Sequence, residues 1–241
     1  MSNRTGRNLR VVSTSDQPFN DRVEAGNLLA RELEQSRGKS PVILGVPRGG
    51  VVVAREVADV LAGDLDIVLS RKLGTPGHPE LAMGSLAEDG TVFLNEDVVS
   101  SLGVRDAVQR ERDHQMTEIR RRSDLIRRTI PKIALKGRIV VVVDDGAATG
   151  ATMQAALWAA RHEDPQRLIA AVPVASDHAL QRLSQVADEV VCLRKPALFY
   201  AVGQAYREFS QVEDNDVLRL LRGSRERQHS REGGHGGDDG G

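Results

Sequence analysis

The sequence is short of cysteine, of aromatic residues and of long apolar runs. One cysteine, Cys192, stands among 241 residues, so no disulfide can form within the chain and a disulfide-stapled scaffold is excluded. Cys192 lies in the apolar run Val190-Val191-Cys192-Leu193 and reads as a small buried hydrophobe, not a nucleophile. One Trp, two Tyr and four Phe leave the core to be built from Val, Leu, Ile and Ala. No stretch approaches the roughly 20 apolar residues of a membrane span. Arg4, Arg7 and Arg10 fall where a secretory signal would need its apolar centre. The expected location is therefore cytoplasmic, with no membrane partner. Charges of one sign are not in excess either: 33 Lys and Arg face 34 Asp and Glu, which gives no general argument for nucleic acid as a partner.

What is present is an alternation of strand-like and helix-like segments between two polar ends. Residues 1–17 read as a disordered lead-in, and 222–241, rich in Arg, Glu, His, Gly and Asp, as a disordered tail. Between them, 18–221 reads as one domain. Strands are expected at 42–46, 65–69, 91–94, 139–143, 168–174 and 189–193. Helices are expected at 21–35, with Asp21 as N-cap, and at 50–61, 151–161 and 177–185. The order implies a three-layer α/β/α sandwich around a mostly parallel twisted sheet. A charged helical insertion fills about 98–132. There Arg110, Arg112, Arg120, Arg121, Arg122, Arg127 and Arg128 interleave with Glu111, Asp113, Glu118 and Asp124, as in a salt-bridged helical hairpin. A homodimer contact or an RNA-facing surface is the other use of such a face.

The densest information is in residues 138–152. The β-branched run Ile139-Val140-Val141-Val142-Val143 ends in Asp144-Asp145, and Gly146-Ala147-Ala148-Thr149-Gly150-Ala151-Thr152 follows. A strand apolar on both faces is buried in a parallel sheet, and ligands of such sheets bind at the carboxyl ends of the strands. Loop amides and a helix N-terminus suit a phosphate, while two carboxylates suit sugar hydroxyls. Together they point to a phosphorylated sugar. The segment resembles the phosphoribosyl-pyrophosphate (PRPP) signature of the type I phosphoribosyltransferases. The order of elements extends that resemblance over about residues 19–217.

The resemblance implies roles for individual residues. Asp144 and Asp145 would hold the ribose hydroxyls and touch Mg²⁺, directly or through water, and residues 146–152 would hold the 5′-phosphate. The loop Arg48-Gly49-Gly50 after the first strand carries a guanidinium fork suited to phosphate oxygens. In the family the equivalent loop takes pyrophosphate, often through a non-proline cis peptide, expected here at Arg48–Gly49. Arg71 and Lys72, next to a Gly- and Pro-rich stretch at 73–80, resemble the catalytic pair and mobile lid of adenine-type members; Glu80 is a candidate there for proton transfer. The short strand at 91–94 would be the family's antiparallel third strand.

The implied reaction displaces pyrophosphate from PRPP by a nitrogen base or amine, with Mg²⁺ as cofactor. Members that use 6-oxopurines carry an acid at the position of Ala148, and this chain does not. The acceptor would be gripped by a small hood formed from residues near Phe19-Asn20-Asp21 and by the segment containing Phe199 and Tyr200, whose rings could stack on a planar base. Tyr206 and Phe209 fit ordinary packing of a C-terminal helix. A different class stays open: a PRPP-sensing regulator of the same fold that binds nucleic acid or protein.

Overall fold

The valines at 140–143 are fully buried because the strand that carries them is covered on both sides. Successive residues of a strand face opposite ways. Val141 and Val143 accordingly enter one apolar cluster, and Val140 and Val142 enter another.

The computed structural model describes residues 8–233. The chain begins with β1 (Leu9–Ser13), α1 (Arg22–Glu32), β2 (Val42–Gly45), α2 (Gly49–Leu61) and β3 (Asp64–Ile67). An excursion follows through β4 (Ser70–Thr75), β5 (His78–Ala87) and β6 (Val92–Leu94), then α3 (Glu96–Leu102) and the long α4 (Arg105–Arg127). The chain returns through β7 (Ile139–Val143), α5 (Ala151–His162), β8 (Arg167–Val174), α6 (Asp177–Ser184) and β9 (Glu189–Arg194), and closes on α7 (Asp214–Gly233). The six strands of the main sheet run in the order β1-β9-β8-β7-β2-β3, and each neighbouring pair is parallel. Residues of α1, α2, α4 and α7 fill the cluster on one face, and those of α5 and α6 the cluster on the other. This is the expected three-layer sandwich, and β7 and β2 lie side by side within the sheet.

Several expectations need correction. Residues 9–13 are not part of a disordered lead-in: they form the edge strand β1, paired with β9. The side chain of Asn8 donates to Ser184 O and Ala187 O, and Arg10 pairs with Glu32. At the other end, 222–233 continues α7, anchored by buried Val217, Leu218 and Leu221. The remainder of the expected lead-in and tail, 1–7 and 234–241, lies outside the described residues. The short strand β6 is antiparallel as expected, but it belongs to a separate sheet ordered β4-β5-β6.

The expected lid at 73–80 is a hairpin. β4 and β5 pair antiparallel, with Thr75 opposite His78 across Pro76-Gly77. Gly77 has φ +75°, a left-handed turn position that glycine takes without steric cost. The Gly and Pro residues that suggested a mobile loop are the turn chemistry of this hairpin and its bulge beside Gly74. The insertion is not a helical hairpin, but one short helix followed by one of 23 residues.

Candidate functional site

The site is built where β2 and β7 end. Each strand runs into a loop and then a helix, and the two helix starts differ from others in the protein. Side chains of Asp21, Asn95 and Ser176 cap α1, α3 and α6. The starts of α2 and α5 have no side-chain cap and no acid in the first turn. Their amide ends are left for an anion. A cis peptide joins Pro47 to Arg48, one bond before the expected Arg48–Gly49.

Gly49 and Gly50 are required by close approach. A Cβ on Gly50 would sit 2.8 Å from Asp144 Cα and 2.8 Å from Val143 O. A Cβ on Gly49 would overlap Asp145 Oδ2, at 2.8 Å from Asp145 Cγ and 3.0 Å from Arg22 Nε. The glycine pair therefore seats the first turn of α2 directly on the acidic pair. The expected pyrophosphate loop and the expected ribose carboxylates are one contiguous structure.

Both carboxylates have raised pKa values. Burial raises the pKa of Asp144 well above the usual carboxylate range, and the neighbouring charge of Asp145 adds to the effect. Asp144 Oδ1 accepts the amide of Asp145 at 2.9 Å. Burial also raises Asp145, opposed by Arg22. Arg22 Nε donates to Asp145 Oδ2 at 2.8 Å, and the Tyr206 hydroxyl donates to Asp145 O at 2.5 Å. Tyr206 itself is held neutral by burial, which pushes its pKa up. A cluster of buried, mutually perturbing acids at the mouth of a sheet marks a functional-site candidate.

The loop after the acids divides in two. Ala147 donates its amide to Val174 O at 2.9 Å and its carbonyl accepts from Ser176 N, which stitches it to β8. A Cβ on Gly146 would lie 2.6 Å from Val202 Cγ1, so that glycine also serves packing. Ser176 Oγ donates to Ala148 O at 2.6 Å. Thr149 is exposed, and Gly150 turns the chain into α5 at φ +73°. Packing against β8 and Val202 thus takes up 146–147, and the rest of the loop runs from 148 to 152.

The other expected residues are dispersed. Arg48 points to the C-terminal segment and pairs with Glu213 at 3.1 Å. Arg71 leaves the main sheet on β4 and pairs with Glu118 of α4 at 3.3 Å. Lys72 lines a cleft walled by Ala107, Arg110, Glu111 and Gln115 of the same helix. The pair therefore faces the insertion, not the edge of the main sheet. The arginines of α4 are engaged in turn: Arg121 and Arg122 with Glu118, Arg121 also with Asp214, and Arg127 with Asp66 and Glu88. The side chain of Glu80 lies outside the described residues.

Of the two aromatic candidates, Tyr200 is 76% exposed. Phe199 lines a cavity of about 370 Å³ with Thr14, Ser176, Asp177, Lys195, Pro196 and Ala197. Ser176 of this lining also donates to Ala148 O, so the cavity adjoins the 146–152 loop. Tyr206 and Phe209 do not belong to a helix; they stack at 5.1 Å behind Asp145. Sequence reasoning passed over Arg22 and the hydroxyl of Tyr206. A signal for Arg22 was present: a cation in the first turn of a helix opposes the helix dipole, so a nearby acid was to be expected.

Comparison with known proteins gives the chain a family. The phosphoribosyl transferase domain family matches residues 20–206. A curated Mycobacterium tuberculosis protein named "Putative phosphoribosyl transferase Rv0571c" is 49% identical over 207 residues, covering 84% of this chain and 46% of that protein. The chain thus spans about half the length of the curated relatives it matches. The crystal structure of TT1426 from Thermus thermophilus is 48% identical, with a TM-score of 0.81 over 85% of this chain and 98% of that one. A family match over residues 20–206 and relatives of this identity place the chain plainly: it belongs to the phosphoribosyl transferase domain family.

Proposed function

We propose that the protein transfers a phosphoribosyl group from PRPP to a nitrogen base or amine, with release of pyrophosphate. The observation that carries this reading is the seating of the Gly49-Gly50 helix start on Asp144-Asp145, beside the uncapped start of α5. That arrangement offers two anion sites with a pair of hydroxyl acceptors between them, which matches a sugar carrying a phosphate at one end and pyrophosphate at the other. Residues 148–152 hold the 5′-phosphate, and Asp144 and Asp145 accept from the ribose hydroxyls. Arg48 and the amides of Gly49 and Gly50 hold pyrophosphate, for which Arg48 must leave Glu213. Arg71 and Lys72 would reach the leaving group only if the β4–β5 hairpin moves toward the main sheet on binding.

Mg²⁺ fits this site as a substrate-borne ion. Among the described residues, no cluster of three or more His, Cys, Asp or Glu is poised to hold a metal. Two adjacent carboxylates suit an ion that keeps most of its waters and takes its other ligands from phosphates. When bound, it would neutralise charge developing on the pyrophosphate.

In the reaction, the nitrogen lone pair bonds to C1 of the ribose as the C1–O bond to pyrophosphate breaks. The pyrophosphate leaves with the bonding electrons, and the nitrogen loses its proton to solvent. The acceptor occupies the cavity lined by Phe199, Ser176 and Lys195, whose size suits a small planar molecule. With Ala148 beside it, the cavity has no carboxylate at the position used for 6-oxopurines. Among the described residues no helix is long and apolar enough to cross a membrane. Calorimetric titration with PRPP and Mg²⁺, followed by assay of pyrophosphate release across nitrogen acceptors, tests the reading. Saturable PRPP binding lost in Asp145→Asn is expected, and absence of PRPP binding by the unaltered protein refutes it.

A further inference from the structure

Arg22 is in an unfavourable place by two criteria. It opens α1, where the helix dipole repels a cation, and it is 8% exposed, where an unpaired guanidinium is costly. Its surroundings answer both. Nε donates to Asp145 Oδ2 at 2.8 Å, Nη1 donates to Ser210 O at 2.8 Å, and the guanidinium lies 3.9 Å from the centroid of Phe209. The planar fork is used on two edges and one face at once, which a lysine cannot imitate.

The object of this arrangement is Asp145. Its side chain is held by Arg22, its main-chain carbonyl by the Tyr206 hydroxyl, and its carboxylate abuts Gly49. Tyr206 is in turn seated between Phe19 and Phe209, at 5.6 and 5.1 Å. Residues from the start of α1 and from 206–210 thus grip one acid at the end of β7. Oδ2 is committed to Arg22, and the same carboxylate also meets the side chain of Asp144. Arg22 also sets a positive charge against two neighbouring negative ones, which would otherwise repel one another in a buried site.

We infer that Arg22 is a positioning residue for ribose recognition: with Tyr206 it fixes the orientation of Asp145, so that the ribosyl part of PRPP, but not pyrophosphate itself, depends on it. The inference rests on the phosphoribosyl transfer reading given above. It adds a residue outside the acidic signature and a specific division of labour between the two ends of the substrate.

Titration calorimetry of the full chain tests it, using PRPP with Mg²⁺ and, separately, inorganic pyrophosphate with Mg²⁺. For Arg22→Gln, PRPP affinity is expected to fall roughly tenfold or more, as for loss of a charge-assisted hydrogen bond, with pyrophosphate affinity within about twofold of the unaltered protein. Arg22→Lys keeps the charge but not the span to Ser210, and should recover part of the loss. Tyr206→Phe removes only the hydroxyl and keeps the ring packing; a smaller loss confined to PRPP is expected. Equal losses for PRPP and pyrophosphate in Tyr206→Phe and Arg22→Lys, with lowered melting temperatures, would reduce Arg22 to a structural role and overturn the inference. Unchanged PRPP affinity in Arg22→Gln would overturn it as well. If the unaltered protein does not bind PRPP, the phosphoribosyl reading itself fails and takes this inference with it.

Discussion

Gly49→Ala is the most incisive single change. In an ordinary first turn, alanine would favour the helix by up to about 1 kcal/mol over glycine. Here the added Cβ would overlap Asp145 Oδ2 and fall 2.8 Å from Asp145 Cγ, so that carboxylate cannot stay, and at 3.0 Å it would also press on Arg22 Nε. The main chain of α2 is held by Val51 and Val53, both fully buried, so the helix cannot simply back away. Overpacking of this kind costs about 1–3 kcal/mol, and a buried ion pair broken outright costs about 3–5 kcal/mol. Set against the helix preference, a net loss of about 2 kcal/mol is expected, or a melting temperature lower by about 4–8 °C for a domain of this size. The control is Gly223 within α7, where the nearest atoms to an added Cβ are 3.9 Å away. Gly223→Ala should raise stability by about 0.5–1 kcal/mol. Thermal melts followed by circular dichroism, with PRPP titrations of both variants, read the two outcomes. If Gly49→Ala melts at or above the unaltered protein and binds PRPP equally well, the close seating of α2 on the acidic pair is wrong.

Three further perturbations follow from the same structure. Asp144→Asn should stabilise the ligand-free protein in EDTA while weakening PRPP binding. The folded acid has a pKa raised above its ordinary 3.8, so the aspartate loses stability relative to the neutral amide as pH rises from 3.8 through the raised value. The gain should therefore be larger at pH 8 than at pH 4, and a constant gain across that range contradicts the burial argument. Glu213→Gln releases Arg48 from an ion pair whose side chains are 32% and 58% exposed; pyrophosphate should bind up to about fivefold more tightly, with the difference shrinking at high salt, and no change in affinity counts against the assignment of Arg48. Arg127→Gln strands Asp66, which is 1% exposed and also accepts from Ile67 N and Ile133 N. A loss of about 3 kcal/mol or more is expected in urea melts, against under about 0.5 kcal/mol for exposed Arg120→Gln.

The layers and the acidic pair were readable in the sequence because their signals are local. A valine run buried on both faces, an Asp-Asp ending and a Thr-Gly loop each occupy a few consecutive positions. The edge strand β1 was missed for a corresponding reason: Leu9-Arg10-Val11-Val12-Ser13 has neither clean alternation nor a continuous apolar run, and it is a strand because β9 offers it a partner. The β4–β5 hairpin was read as a loop because Gly74, Pro76 and Gly77 weigh against strand on propensity, while register and a bulge absorb them. Arg22 lies 123 positions from Asp145, and Tyr206 lies 61; contacts of that separation leave no periodic trace. Arg48 follows β2 as expected, whereas Arg71 lies within β4 and not at the end of the second strand; the carboxylates they meet, Glu213 and Glu118, come from segments that sequence alone does not bring near.

The edge strand has a practical consequence for how the domain is cut. The family match begins at residue 20, and a fragment started there would lack β1. It would uncover the outer backbone edge of β9 at Val190, Val191 and Cys192, which pair with Leu9, Arg10 and Val11. A bare parallel strand of apolar residues is a template for a second chain. Such a fragment should self-associate, and one begun ahead of Asn8 should not, so light scattering of the two preparations reports whether five residues outside the recognisable family region shield the edge of β9.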